Sequence, residues 1–124
     1  MIVRKLADQQ VIQNPLCGTI QQVLPSGPYP PLSIVLAFLK AEGTTAHFHK
    51  GFDELYFVLD GMLKLKFHDP VRNQTWEETL GPNELCVIPK GTHHKVVYAT
   101  PQHRLCAICI PPFDPADEHP SGVI

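Results

Sequence analysis

Thirteen prolines and eight glycines divide this 124-residue chain into short pieces, and that punctuation limits its fold more than any other feature. Proline lacks a backbone donor and fixes φ, so neither helix nor central strand passes through Pro25-Ser-Gly-Pro-Tyr-Pro-Pro31, which reads as an exposed loop. Between the breaks lie runs of strand length, predicted at about 2–6, 18–24, 32–39, 44–49, 54–59, 62–67, 74–80, 84–88, 94–99 and 104–110. The 32–39 run is continuously apolar, as in a strand buried on both faces; a short helix is the alternative, but flanking prolines and Glu42-Gly43 favour the strand. Leu63, Leu65 and Phe67 alternate with Lys64, Lys66 and His68, the pattern of a strand with one wet face. Asp60-Gly61 signals a hairpin turn, because both positions accept positive φ. Some nine or ten short strands without a helical period make an all-β barrel or sandwich with little or no helix. One domain is expected over 1–124, with a barrel core at about 17–110 and a proline-rich acidic tail at 111–124 that wraps the outside or stays partly disordered.

Composition narrows the partners. Hydrophobic residues make up 44% and charged residues 18%, as in a compact fold, and the net charge is −2 with histidine neutral. Lysines and arginines are scattered singly apart from Arg4-Lys5, so no nucleic-acid surface or basic membrane-binding face is expected. The first residues show no signal-peptide pattern and no apolar stretch is long enough to span a bilayer, which makes a cytoplasmic protein with reduced cysteines the expectation. Of Cys17, Cys86, Cys106 and Cys109, the last two form a CxxC. In a strand, however, an offset of three puts the two sulfurs on opposite faces, so they read as small core residues rather than a redox pair or half a zinc site.

Histidine placement carries the functional signal. His47 and His49 are separated by one residue, and in a strand period-2 alternation turns both imidazoles to one face, where they reach one ion. Glu54 can approach that ion from the following strand, and His93-His94, behind Pro89-Lys-Gly91, offers a further ligand. Imidazoles with one carboxylate suit a borderline divalent ion such as iron, manganese, zinc, nickel or copper, and do not suit calcium. Four protein ligands on an ion that prefers six leave about two positions for water or substrate.

The runs His47-x-His49-x4-Glu54-x6-Gly61 and Pro89-x-Gly91-x2-His94 resemble the two motifs of the cupin superfamily, G-x5-H-x-H-x(3,4)-E-x6-G and G-x5-P-x-G-x2-H-x3-N. Three positions depart from the pattern: Gly43 precedes His47 by three residues rather than five, Asn83 stands at the second motif's first glycine, and Tyr98 replaces its asparagine. The motifs span about 43–98, and the strand count extends the likeness to most of the chain. The resemblance implies a double-stranded β-helix, or jelly-roll barrel, with His47, His49, Glu54 and His94 as ligands of one divalent metal. It selects His94 over His93, leaving His93, His68, His103 and His119 as solvated or interfacial. Tyr56 shares the parity of Glu54 and Tyr98 that of His94, so both are candidate catalytic phenols, packing in the barrel wall being the alternative. Phe38, Phe48, Phe57, Val58, Val87 and Val96 are expected in the core. The implied activity is a metal-dependent enzyme acting on a small polar metabolite, of oxygenase, isomerase or lyase type. A non-catalytic module binding a sugar or other effector is the alternative, and a purely structural metal is a third possibility. A homodimer joined through sheets is expected by the same resemblance.

Overall fold

The computed structural model of the chain describes residues 1–40 and 43–124; Glu42, cited above as part of a turn, lies outside them. Eleven strands are formed: β1 Val11–Asn14, β2 Gly18–Leu24, β3 Ser33–Leu39, β4 His47–Phe48, β5 Asp53–Asp60, β6 Leu63–Asp69, β7 Gln74–Leu80, β8 Leu85–Ile88, β9 His93–Ala99, β10 Arg104–Ile110 and β11 His119–Pro120. Helical structure among the described residues is limited to two 3-10 turns, Leu6–Asp8 and Pro115–Asp117. The strands make two antiparallel sheets, ordered β1-β2-β3-β10-β5-β8 and β11-β4-β9-β6-β7. Among the described residues no helix is long and apolar enough to cross a membrane.

Period-2 alternation builds the core between the sheets. Tyr56 and Val58 from β5, and Leu105 and Ala107 from β10, meet Leu63, Leu65 and Phe67 from β6 and Val96 from β9. Cys109 is buried on this inner side while Cys106 is half-buried on the other, and all four cysteines are free thiols.

Several local expectations change. The first strand is not at 2–6: residues 1–5 are exposed and irregular, and β1 starts at Val11. It forms there because Asn14 Oδ1 accepts from the Leu16 and Cys17 amides at 2.9 and 3.1 Å, a side-chain turn that folds β1 back onto β2. Asp60-Gly61 does not close a hairpin, since β5 and β6 lie in different sheets. Gly61 does have φ 78°, and a Cβ there would lie 2.4 Å from the Gln102 carbonyl, so the chain crosses between sheets at a point only glycine fits. The tail is ordered: β11 pairs with β4, and the Ser121 amide donates to the Ala46 carbonyl at 2.9 Å.

The outer face of the six-stranded sheet is more open than an apolar run implies. Val58 and Val96 are buried as expected and Phe48 and Phe57 are half-buried, but Phe38 and Val87 are 38% and 57% exposed. Strand β3 therefore buries Ser33, Ala37 and Leu39 on its inner face, with Val35 half-buried, and leaves Phe38 exposed on the other. Two apolar rows cross four strands on this outer side, Ile34–Ile108–Leu55–Val87 and Leu36–Cys106–Phe57–Leu85.

Candidate metal centre

Cross-strand pairing brings the centre together. His47 in β4 stands opposite His94 in β9, and both are about 1% exposed. His49 follows β4 directly, and Glu54 enters from β5 on the inward parity it shares with Tyr56. Ring nitrogens of His47, His49 and His94 all lie within 4.8 Å of one another. Glu54 Oε1 is 3.3 Å from His94 Nε2 and 3.8 Å from His49 Nε2.

The far side of each ring is anchored to a backbone carbonyl. His47 Nδ1 lies 2.7 Å from the Thr45 oxygen, His94 Nδ1 3.0 Å from that of Thr92 and His49 Nδ1 2.9 Å from that of Asp117. A carbonyl only accepts, so each Nδ1 carries the proton and each Nε2 presents a lone pair to the centre. His49 Nε2, His94 Nε2 and Glu54 Oε1 are buried without a hydrogen-bond partner among the described residues. Leaving such atoms unsatisfied costs about 1–3 kcal/mol each, and a cation among three lone pairs and a carboxylate removes that penalty at once. The donor set therefore fits a divalent transition ion.

Electrostatics point the same way. Burial, helped by the neighbouring His94, lowers His47 from 6.5 to about 4 and keeps it neutral. Burial alone would raise the Glu54 carboxyl, but the imidazoles of His49 and His94 more than offset it and hold the group ionised. His49 is raised because Glu54 outweighs its burial. The other Glu54 oxygen, Oε2, is 3.6 Å from the Cys109 thiol, whose proton burial retains. Tyr56 is 5% exposed, with its ring centroid 6.3 Å from that of His94, and burial together with Glu54 raises its phenol well above 10.

Tyr98 does not face the centre. The pairing of β6 with β9 shifts register so that Leu65 stands opposite Val96 and Lys64 opposite Tyr98, leaving Val97 as the extra residue of a bulge. The bulge reverses parity, and Tyr98 is 45% exposed on the outside. His93 and His68 also differ from expectation, being 9% and 5% exposed. His93 does turn away from His94, but Phe48 stacks on it at 4.2 Å, the Ser121 hydroxyl lies 2.7 Å from its Nδ1 and His68 packs edge-on at 5.8 Å. His103 is half-buried and structural, accepting the Leu39 amide at 2.8 Å, and His119 donates to the Asp117 carboxylate at 2.8 Å.

A cavity of about 50 Å³ adjoins the centre on the side of the six-stranded sheet. His47, Glu54, Tyr56, Cys17 and Cys109 line its polar end, joined by Asn14 and Glu118. Burial raises the Glu118 carboxyl above its ordinary value, with the Asn14 amide opposing. Sequence reasoning missed Asn14 and Glu118, as well as Asp117 behind His49. The trace of Asp117 and Glu118 was the acidic character of the tail, which carries no spacing information.

No protein-family profile matches the chain, and no curated protein sequence matches it. Solved structures do. A variant of Streptomyces PAC13 with uridine superposes at TM-score 0.75 and 12% identity, over 98% of this chain and 91% of that one, and Pac13 is described as a unique nucleoside dehydratase. A protein from Planctomyces limnophilus gives 0.74 at 22% identity, covering 96% of each chain. Bacillus subtilis oxalate decarboxylase, which has Mn(II) centres, gives 0.75 at 16% identity over 97% of this chain and 33% of its own. The chain has the cupin fold these structures share, a small all-β barrel of two antiparallel sheets.

Proposed function

We propose that the protein is a divalent-metal-dependent enzyme of lyase type acting on a small polar metabolite. His47, His49, Glu54 and His94 hold one transition ion, and Tyr56 serves the substrate. The observation that carries this is the group of three buried atoms, His49 Nε2, Glu54 Oε1 and His94 Nε2, facing one another without partners among the described residues. When bound, such an ion supplies Lewis acidity toward a substrate oxygen. Tyr56 keeps its proton at neutral pH because burial and Glu54 both disfavour the phenolate, so it donates a hydrogen bond or a proton rather than abstracting one. Apolar walls from Val35, Leu39 and Leu105 restrict water in the cavity, which strengthens both interactions. Tyr98, on the outer surface, has no part. Two structural neighbours carry the names of lyases, a dehydratase and a decarboxylase, and these support the lyase reading over oxygenation or isomerisation.

Metal analysis after anaerobic purification is expected to give about one transition ion per chain, falling below about a tenth of that in His47→Ala, His49→Ala or Glu54→Ala. A screen of sugars, keto acids and hydroxy compounds then seeks turnover. Turnover that persists in fully metal-free protein overturns the proposal, and stoichiometric metal with ligand binding but no turnover points to a binding module instead.

The functional unit in this proposal is a homodimer joined through the two apolar rows on the outer side of the six-stranded sheet, where Leu85 and Val87 are more than half exposed. A cytoplasmic setting suits its four free thiols.

A further inference from the structure

The cavity holds a carboxylate outside the proposed ligand set. Glu118 enters it from the tail, fixed on one side by the turn Pro115–Asp117, which Asp114 caps, and on the other by pairing of β11 with β4. Its Oε1 accepts from Asn14 Nδ2 at 3.3 Å. That amide is oriented in turn, because Asn14 Oδ1 is occupied by the Leu16 and Cys17 amides. Glu118 Oε2 makes no hydrogen bond among the described residues. No lysine or arginine is among the residues lining the cavity.

Charge then decides what enters. With its histidines neutral, a centre bearing a divalent ion and Glu54 alone has net positive charge and attracts anions. A second carboxylate in the same cavity cancels that charge, and in a confined space of low polarity its field is little screened by salt. At about 50 Å³, against about 30 Å³ per water molecule in the liquid, the cavity has room for one or two water-sized groups, so any moiety of a ligand that enters lies close to both carboxylates.

Building on the metal centre of the preceding section, we propose that Glu118 is the specificity-determining residue of this cavity. It admits neutral ligands bearing hydroxyl groups, one of which donates to Glu118 Oε2 while another oxygen faces the centre, and it excludes dianionic chelators of the dicarboxylate class.

The test uses the full-length protein loaded with Co(II), whose visible spectrum reports ligands at open coordination positions, titrated at about pH 7.5 with oxalate as the dianion and glycerol as the neutral hydroxyl probe. Glu118→Gln is expected to bind oxalate at least about tenfold more tightly than the parent protein and glycerol more weakly. Glu118→Asp, which keeps the charge, is expected to exclude oxalate as the parent does. Calorimetry of Co(II) uptake and circular dichroism accompany each protein. If the parent takes up no Co(II), the metal centre itself fails and this proposal falls with it. If all three proteins bind Co(II) but oxalate affinity is the same in each, only the role of Glu118 is overturned. That role is overturned as well if Glu118→Gln misfolds and Glu118→Asp, though folded, binds oxalate tightly.

Discussion

Glu54 is held from both ends, its Oε1 facing two imidazoles and its Oε2 lying 3.6 Å from the Cys109 thiol. Outer contacts of this kind typically govern tenfold or more in metal affinity. Cys109→Ala is therefore expected to weaken metal binding about tenfold, measured by competition with a chromophoric chelator, while Cys109→Ser, which still donates, stays close to the parent. Acid sensitivity of the metal-free protein follows from His47. Its folded value of about 4 lies below the ordinary 6.5, so the unfolded chain takes up this proton first as pH falls. The stability it contributes is complete above pH 6.5 and is lost between there and about pH 4, by roughly 3 kcal/mol. Glu54, also lowered, adds a loss in the same direction at lower pH, whereas His49, raised, contributes below 6.5 and loses that contribution as pH rises through its folded value. Urea unfolding at a series of pH values is expected to show the midpoint falling from pH 6.5 to about 4; a flat profile contradicts the burial of a neutral His47. At this scale the sequence showed the histidines and Glu54 because strand parity and short spacing determine where they point. It could not show Tyr98, since one extra residue at Val97 inverts parity and bulges leave no compositional mark. Burial of His93 was equally hidden, because Phe48 and Ser121 cover it from distant positions.

Strand β11 and the turn before it show what an element contributes beyond its own length. Two of the proposed ligand histidines, His47 and His94, are oriented by carbonyls two residues upstream, Thr45 and Thr92, but His49 relies on Asp117, 68 residues away in sequence. The Asp117 side chain pins that carbonyl by accepting from the Lys50 and Gly51 amides at 3.0 and 2.7 Å and from His119. Asp117→Ala is expected to lower metal affinity by about tenfold and to raise amide exchange across 111–121, with little change in β5 or β10. Tyr98→Phe, on the outer face of β9, is expected to leave metal affinity and exchange unchanged. Most strands were legible as elements because turn residues bound them. Their pairing was less so: Asp60-Gly61 has the composition of a hairpin, yet its glycine serves a crossing between sheets where the Gln102 carbonyl approaches.

At the scale of the whole molecule, two sheets divide the labour. One brings His47 and His94 into register, and the other supplies Glu54, Tyr56 and the cavity wall while presenting apolar rows outward. Sedimentation at micromolar concentration is expected to give a species of twice 13.8 kDa, and Leu85→Glu combined with Val87→Asp to return it to monomer with metal content intact. A parent protein that sediments as monomer removes the dimer from the proposal. The dependence of His49 on Asp117 also makes the tail a latch for the proposed centre. Should residues 111–121 detach from β4, Thr45 and Thr92 would still orient His47 and His94, while His49 would be free to turn.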